Sequence, residues 1–298
     1  MRPDKKGEQL YGSETAVVQP KRYLIAFDLD CTVLPKVDEI DERTIKAFRM
    51  AREQGHIPVI ASARHFNMMR WVYEAMGLDS PVCALNGAHV FHPYDESFAP
   101  SECSISPMMT RRIIEAAFEY ESHIPMYVEY KNALWYTEGH HGKYYRERMN
   151  TSEPATIFDK SSIPDTPASR IIITPPDNEA VRAIEDMVAA AGQDEVTAAS
   201  WDFMPATEDV SHIRMSLCSA GADKWYAIER IARFYGIPNE DIYAFGDMWN
   251  DFMMIENAGH GYALLGSEAA QKSKAKNITR YTCEECGVAD IIEREILR

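Results

Sequence analysis

The sequence has no apolar run that approaches the ~20 residues needed to cross a lipid bilayer, so we expect no membrane segment. The opening residues MRPDKKGE contain basic side chains but no apolar stretch after them, which argues against a secretory signal peptide. Cysteine is scarce, with six scattered residues among 298, and a chain of this size needs no disulfide staples. We therefore expect a cytoplasmic protein whose cysteines are reduced.

Positive charge is also in short supply, because 31 lysines and arginines face 46 aspartates and glutamates, for a formal net charge of -15. Nucleic-acid-binding proteins usually carry a basic face, so we expect no nucleic-acid partner. Anionic small molecules are not excluded, since a few lysines, backbone amides and a metal can outweigh the global field locally. With 46% hydrophobic residues, the chain has ample material for a globular core.

Short apolar runs alternate with helical patterns towards both ends of the chain. Such runs are typical of buried parallel strands, and strand–helix–strand alternation predicts parallel βαβ units. The predicted strands are 23–27, 57–61, 82–85, 242–245, 262–264 and 278–281, and the predicted helices are 41–54, 67–76, 223–235 and 249–258. We therefore predict an α/β fold with a doubly wound, Rossmann-like parallel sheet.

The middle of the chain has a different pattern of apolar and polar residues. Polarity alternates on both sides of Lys131-Asn132, which predicts a β-hairpin. The elements predicted there are the hairpin strands 126–130 and 133–137, the strands 170–174 and 196–201, and the helices 109–120 and 179–191. We interpret residues 88–209 as an α+β domain inserted into a core formed by residues 21–87 and 210–298. Residues 1–20 are polar and aperiodic and are expected to form a flexible tail.

Polar motifs follow the predicted core strands where each strand ends. Asp28-Leu29-Asp30 follows the first strand and Ser62 the second, Gly246-Asp247-Met248-Trp249-Asn250-Asp251 follows the strand near residue 245, and Lys224 opens a helix. Because ligands bind open α/β sheets outside the carboxyl ends of the strands, we expect these groups to converge. Two carboxylates that leave a buried strand are costly unless a cation or a substrate uses them.

These residue types suit phosphoryl transfer. Asp28 and Asp247 offer the hard oxygen ligands that magnesium prefers, and a carboxylate can attack phosphorus to form an aspartyl-phosphate. The transition state is negative over its equatorial oxygens, so Lys224 and Ser62 are useful donors there. An isolated Asp-x-Asp is common in turns and helix caps, and only the combination of motifs favours the functional interpretation.

The combination resembles the haloacid dehalogenase superfamily. The resemblance lies in Asp-x-Asp-x-Thr after the first strand, Ser-x-Arg after the second, a lone lysine, and then Gly-Asp-x-x-Asn-Asp. The order of the domains resembles the Cof-type branch, whose large α+β cap is inserted after the third core strand. Asn86-Gly87-Ala88 at that junction and Gly287-Val288-Ala289 near the end are also similar to that branch.

The resemblance implies a role for each matching residue. Asp28 would be the nucleophile and a magnesium ligand, and Asp30 would protonate the leaving oxygen, then activate water, while its backbone carbonyl holds magnesium. Asp247 would bind magnesium, with Asp251 positioning the metal-bound water. The residues implied for phosphate binding are Ser62, Lys224, Asn250 and Arg64. Three positions depart from the pattern, which has glycine where this chain has Cys31, Ala63 and Trp225, and these departures bear on substrate fit and turnover.

The expected function is a magnesium-dependent phosphatase of a small phosphorylated metabolite, with sugar phosphates as the expected class. A phosphosugar mutase that uses the same aspartyl-phosphate is an alternative, and a non-catalytic regulatory protein of the same fold is another. Cys283-Glu284-Glu285-Cys286 lacks a second ligand pair and is interpreted as two ordinary thiols in a surface loop. The basic stretch from His140 to Arg148 is interpreted as a solvated helix face, with recognition of an anionic substrate as the alternative.

Overall fold

The computed structural model describes residues 21–36, 38–131, 133–138, 155–192, 195–202 and 213–297. The predicted tail at residues 1–20 and the basic stretch from His140 to Arg148 lie outside the described residues. Among the helices of the described part, none combines the length and the apolar character needed to cross a membrane.

The strands of the described residues form three sheets of five, six and three strands. In chain order they are β1 Leu24–Phe27, β2 Ile57–Ile60, β3 Val82–Ala84, β4 His89–Phe91, β5 Ser101–Glu102, β6 Met126–Tyr130, β7 Ala133–Thr137, β8 Ala155–Phe158, β9 Arg170–Ile173, β10 Val196–Asp202, β11 Ile213–Ser219, β12 Ile242–Gly246, β13 His260–Ala263 and β14 Asn277–Ile278. The predicted hairpin is confirmed, because β6 pairs antiparallel with β7 across Lys131.

Several α-helices begin at a polar side chain that caps a free N–H group. Asp41 and Asp223 each accept a hydrogen bond from the N–H of the second residue of the helix that follows, and Ser106 accepts one from the third. The helices are α1 Glu42–Glu53, α2 Phe66–Ala75, α3 Pro107–Tyr120, α4 Asn178–Gly192, α5 Lys224–Tyr235, α6 Phe252–Asn257, α7 Ala269–Lys274 and α8 Gly287–Ile291, with 3₁₀ turns at Leu85–Gly87, Asn239–Asp241 and Trp249–Asp251 and a π-helical turn at Ile292–Ile296.

The five-stranded sheet is parallel throughout, in the order β14-β13-β12-β1-β2. Successive side chains of β1 point to opposite faces, as strand geometry requires. Ile25 and Phe27 pack in one apolar cluster with residues of α1 and α2, whereas Leu24 and Ala26 pack in another with residues of α5 and α6. Helices therefore cover both faces, and the predicted doubly wound α/β fold is confirmed.

The six-stranded sheet has the order β10-β11-β9-β6-β7-β8 and is antiparallel except for the pair β7 and β8. Its apolar face packs on α3 and α4, with Ile171 and Ile173 of β9 in the same cluster as Ile113 of α3. Ile172 points the other way and contacts a small cluster with Tyr127. Together these elements are the α+β arrangement expected of an inserted domain.

The connections between the two sheets differ in detail from the sequence-based expectation. β3 meets β2 through one parallel bridge, between Ala61 and Cys83, and then pairs antiparallel with β4, which pairs with β5. β11 belongs to the six-stranded sheet although the sequence interpretation placed residues from 210 onward in the core. The division of the chain into domains stays a prediction, whose second boundary falls ahead of this strand.

Two further expectations need correction. The predicted helix 249–258 begins as a 3₁₀ turn, and its α-helical part starts only at Phe252, because Asp251 is held by the loop described below. Cys283 and Cys286 were expected in a surface loop, but both are buried, at 8% exposure each. Cys286 packs in the apolar cluster on the α1 side of the sheet.

Candidate active site

The site begins at the ends of two neighbouring strands. Phe27 of β1 lies beside Phe245 of β12, and the N–H of Asp28 continues the ladder by donating to the carbonyl of Phe245 over 3.0 Å. Asp247 leaves β12 at the same edge. Carboxylate oxygens of Asp28, Asp247 and Asp251 all lie within 4.8 Å of one another, so the convergence expected from the strand ends occurs.

Lys224 supplies the positive charge inside this cluster. It is the first residue of α5 and is 1% exposed. Its Nζ lies 2.7 Å from Asp28 Oδ1 and 2.7 Å from Asp251 Oδ1. Burial alone would lower the pKa of Lys224, but Asp251 and Asp28 outweigh it and raise this pKa above the ordinary value. The lysine is therefore a permanent cation in the site.

The start of α5 is fixed by a close backbone approach. At Gly87 the φ angle is +94°, and a Cβ there would lie 2.4 Å from the carbonyl oxygen of Asp223. Only glycine meets both conditions. The turn after β3 therefore packs directly on the residue before Lys224, which sets where the lysine enters the site.

Burial also shifts the acids of the cluster. It raises the pKa of Asp28 well above the usual value, an effect that Lys224 opposes and that Asp251 strengthens. Burial and the charge of Asp251 raise the pKa of Asp247 to about 7, partly offset by a hydrogen bond from Thr32. The Oγ1 of Thr32 lies 2.9 Å from Asp247 Oδ1. A cation bound between these carboxylates would favour their charged form and so lower their pKa values.

Asp251 shapes the loop that carries Asp247. One oxygen of Asp251 accepts from Lys224, and the other accepts from the N–H groups of Asp247 and Met248, each over 3.2 Å. A Cβ at Gly246 would lie 2.4 Å from the Asp251 side chain. The loop thus closes on a fully buried carboxylate, which explains why Asp251 ends a 3₁₀ turn before the α-helix starts.

A second group of predicted site residues lies after β2. The guanidinium of Arg64 pairs with both carboxylate oxygens of Asp30, through Nε over 2.9 Å and through Nη2. The Asp30 side chain is 49% exposed, whereas that of Arg64 is 8% exposed. Ser62 Oγ accepts from the Arg64 N–H over 3.1 Å, which leaves the hydroxyl hydrogen of Ser62 available to another acceptor.

Asn250 lies in the acidic loop and is tied to the turn after β3. Its Nδ2 donates to Asn86 Oδ1 over 3.0 Å. Asn86 adopts a φ of 57° and Leu85 a φ of 54°, a left-handed conformation that is uncommon outside glycine. Neither Asn86 nor Thr32 is among the site residues expected from the sequence, although both lie inside the motifs that carry the family resemblance.

The three departures from glycine have different structural outcomes. Cys31 has a φ of 56°, so the cysteine occupies a left-handed position that favours glycine. Burial and the charge of Asp247 raise the pKa of its thiol to about 11, so the thiol is protonated near neutral pH. Ala63 presents its carbonyl to a residue of the six-stranded sheet, and Trp225 is buried in the cluster beside α5.

The donor set fits a hard divalent cation. Three carboxylates face one lysine, and all the candidate ligand atoms are oxygens, which magnesium prefers. Burial raises the pKa of Asp28 and of Asp247, and the charge of Asp251 adds to both shifts. Asp28 and Asp247 have oxygens directed at this shared space, and Asp251 orients the loop and the lysine around it.

The chain matches known proteins over almost its whole length. A profile described as haloacid dehalogenase-like hydrolase matches residues 25–292. The chain is 28% identical over 281 residues to the 5-amino-6-(5-phospho-D-ribitylamino)uracil phosphatase YitU of Bacillus subtilis (strain 168), covering 93% of this chain and 98% of that protein. It is 23% identical to the pyridoxal phosphate phosphatase YbhA of Escherichia coli (strain K12), covering 85% and 91%.

The same similarity holds for the three-dimensional structure. The crystal structure of a haloacid dehalogenase-like hydrolase from Bacteroides thetaiotaomicron superposes with a TM-score of 0.74, at 21% sequence identity. The superposition covers 92% of this chain and 99% of that one. The neighbour therefore shares the fold of this chain.

Proposed function

The chain belongs to the haloacid dehalogenase-like hydrolase family, and from this premise we propose that it is a magnesium-dependent phosphatase of a small phosphorylated metabolite, acting through an aspartyl-phosphate. The observation that carries the proposal is the buried cluster in which Lys224 lies 2.7 Å from both Asp28 and Asp251. Phosphatase names among the relatives support hydrolysis of phosphomonoesters.

In the proposed reaction, an oxygen of Asp28 attacks the phosphorus of the substrate and the alkoxide of the metabolite leaves. Lys224 contacts Asp28 and stabilises the negative charge that develops on the equatorial oxygens. Ser62 donates its free hydroxyl hydrogen to the same phosphoryl group. Asn250 and Arg64 complete the proposed phosphate-binding set, with Asn250 steadied by Asn86.

Asp30 is proposed as the acid and base. Its carboxyl group is half exposed, in contrast to that of Asp28, so it can reach an entering substrate and a water molecule. As an acid it protonates the leaving oxygen, and as a base it then takes a proton from the water that cleaves the phosphorylated Asp28. Arg64 holds the Asp30 carboxylate from the loop after β2 and so fixes its direction.

Asp28, Asp247 and the backbone carbonyl of Asp30 are the proposed magnesium ligands, with Asp251 positioning them. Bound magnesium would neutralise charge on the transferred phosphoryl group and lower the cost of bringing an anion to three carboxylates. The raised pKa of Asp247, about 7, agrees with a site that gains from a cation.

For the substrate, we propose a small phosphorylated metabolite, with sugar phosphates as the class. The relative from Bacillus subtilis supports a phosphate carried on a sugar-derived group, since its named substrate has a phospho-D-ribityl part. We propose that residues 88–209 act as a cap that closes over the strand edge and excludes bulk water during transfer.

The experiment is phosphate release from a panel of sugar phosphates and a generic aryl phosphate, with magnesium and after chelation. We expect release to need magnesium and to fall roughly 10⁴-fold or more in Asp28→Asn, because the amide cannot attack phosphorus. Asp95→Asn, at an exposed aspartate of the same chain, is the matched control and should keep full activity.

Magnesium-independent release, or full activity in Asp28→Asn, would overturn the mechanism. Absence of release from every phosphoester of the panel would favour a regulatory protein of this fold. Transfer of the phosphoryl group between sugar positions, without release, would favour the mutase.

A further inference from the structure

The six-stranded sheet contains a buried ion pair that the proposed mechanism does not use. Glu129 of β6 and Arg170 of β9 are cross-strand neighbours, and Arg170 Nε lies 2.5 Å from Glu129 Oε2. Glu129 is 0% exposed and Arg170 is 6% exposed. Burying two charges carries a desolvation penalty of several kcal/mol per ion. The other groups that these two side chains contact therefore bear on the role of the pair.

The guanidinium of Arg170 reaches beyond its own sheet. A second nitrogen of the group, Nη1, donates to the backbone carbonyl of Ala63 in the loop after β2. That carbonyl belongs to the peptide bond whose N–H, at Arg64, donates to Ser62 Oγ. One peptide unit is thus held at both ends, by a residue of the six-stranded sheet on one side and by a proposed phosphate ligand on the other.

A second contact joins the same loop to the hairpin of the six-stranded sheet. His65 Nδ1 accepts from the N–H of Asn67 at the start of α2, so the hydrogen of the neutral ring is on Nε2. His65 Nε2 lies 2.6 Å from the carbonyl of Lys131 and donates to it. Burial lowers the pKa of His65, which keeps the ring neutral and this direction of donation fixed near pH 7.

The loop from Ser62 to His65 therefore has its orientation set by β9 and by the β6–β7 hairpin as well as by β2. Rotation of the Ala63–Arg64 peptide would change both the direction of the Ser62 hydroxyl and the place from which Arg64 reaches Asp30. A displacement of about 1 Å in a reacting group can cost ~10²-fold in rate, so small changes at this peptide matter.

We propose that Arg170, supported by Glu129, is a positioning residue. It couples the position of the six-stranded sheet to the geometry of the loop 62–65, which carries the proposed phosphate ligands Ser62 and Arg64. When the sheet lies against the loop, Arg170 donates to the Ala63 carbonyl and the side chains of Ser62 and Arg64 are held in their orientations. When the sheet moves away, the loop loses this donor. The inference rests on the proposed phosphatase function for its kinetic consequence, but the contact itself has a separate structural readout.

The test uses Arg170→Lys, because lysine keeps the charge that Glu129 requires but lacks the planar fork that serves two acceptors at once. We expect Arg170→Lys to melt near the wild-type temperature and to lose roughly 10- to 100-fold in kcat. The loss should be equal for an aryl phosphate and a sugar phosphate, since both share the phosphoryl group, while KM changes little. Arg112→Lys, at an exposed arginine of α3, is the matched control and should behave as wild type.

The readout that does not depend on activity is hydrogen–deuterium exchange of the full chain at residues 62–65. Exchange there should be faster in Arg170→Lys and unchanged in Arg112→Lys. A double variant, Glu129→Gln with Arg170→Met, removes both charges without leaving either one buried alone. It should fold, lose kcat like Arg170→Lys, and show the same local exchange.

Unchanged exchange at residues 62–65 with unchanged kcat in folded Arg170→Lys would overturn the proposal. A loss of kcat confined to the larger substrate, with a higher KM, would overturn it in favour of a substrate-contacting role for Arg170. Faster local exchange in a protein that releases no phosphate from any ester would refute the proposed function and leave the positioning contact standing.

Discussion

The two larger sheets bury charge in different ways. At the edge of the five-stranded sheet, the carboxylates of Asp28, Asp247 and Asp251 face the single ammonium of Lys224. In the six-stranded sheet, the carboxylate of Glu129 is paired with the guanidinium of Arg170. The first cluster is unbalanced, with three carboxylates around one ammonium, and burial raises the pKa of Asp28 and of Asp247 there. In the second, each of the two charges has an opposite charge in direct contact.

The difference fits two roles: we propose that the cluster around Lys224 takes part in the reaction, and that the pair of Glu129 and Arg170 positions residues of the site. An unbalanced, negatively charged buried cluster is stabilised when a bound cation supplies positive charge, and ionisable groups held in this way are typical of functional sites. The buried charges of Glu129 and Arg170 already contact each other, and a second nitrogen of Arg170 donates to a backbone carbonyl of the reactive edge. We expect changes at the unbalanced cluster to act on the chemical step itself and changes in the six-stranded sheet to act on stability or on alignment.

After Asp28→Asn, the largest effect is expected from Asp30→Asn. The amide keeps the size of the side chain but can neither protonate a leaving group nor accept a proton from water, so kcat should fall ~10²–10⁴-fold. The matched variant is Asp159→Asn, at an aspartate that also follows a strand, but in the six-stranded sheet. Steady-state kinetics should show no change there, and equal losses in the two variants would break the comparison.

A smaller effect should come from two isoleucine truncations, one beside each sheet. Ile113 of α3 and Ile228 of α5 are both 0% exposed, so each change to alanine should lower the free energy of unfolding by about 2–5 kcal/mol. Ile228 stands one helical turn after Lys224, on the same face of α5, so kcat of the folded protein should fall in Ile228→Ala only. Denaturant unfolding and kinetics well below the melting point check this, and a loss of kcat in Ile113→Ala would contradict it.

The smallest effect concerns His89, in the middle strand of the three-stranded sheet. Burial lowers its pKa from 6.5 to about 4, so between these values the unfolded chain binds more protons than the folded one. Stability from this group is therefore complete above pH 6.5 and is lost as the pH falls towards 4, by about 1–3 kcal/mol in all. His89→Asn should flatten this part of the stability–pH curve, and an unchanged slope would show that other groups set it.

The strand ends and their acids could be predicted from the sequence because both signals are local. Asp28 follows a continuous apolar run, and the run before Asp247 has the same character, so parallel strand geometry brings them together. The role of Lys224 was less accessible, because a lone lysine at a helix start has no distinctive pattern. Its implied place came from the resemblance, and the structure puts it between Asp28 and Asp251.

The contacts between the sheets could not be predicted in the same way. Glu129 and Arg170 are 41 residues apart, and their pairing depends on the register of two antiparallel strands, which alternating polarity does not fix. Strand β11 could have been predicted, since Ile213, Met215 and Leu217 alternate with other residues. Residues from 210 onward were instead placed in the core, and no strand was predicted there. The left-handed backbone of Cys31 was not predicted either, because the sequence shows only that a cysteine stands where the related pattern has glycine.

The most direct test of the account is to find the phosphoryl group on Asp28. Asp30→Asn should slow hydrolysis of the aspartyl-phosphate, so brief exposure to substrate and magnesium, followed by borohydride reduction, should convert residue 28 to homoserine. Peptide mass spectrometry would then locate the change at residue 28, with none in Asp28→Asn. Phosphate release by the wild type with no modification at residue 28, or with the modification at another carboxylate, would contradict the account.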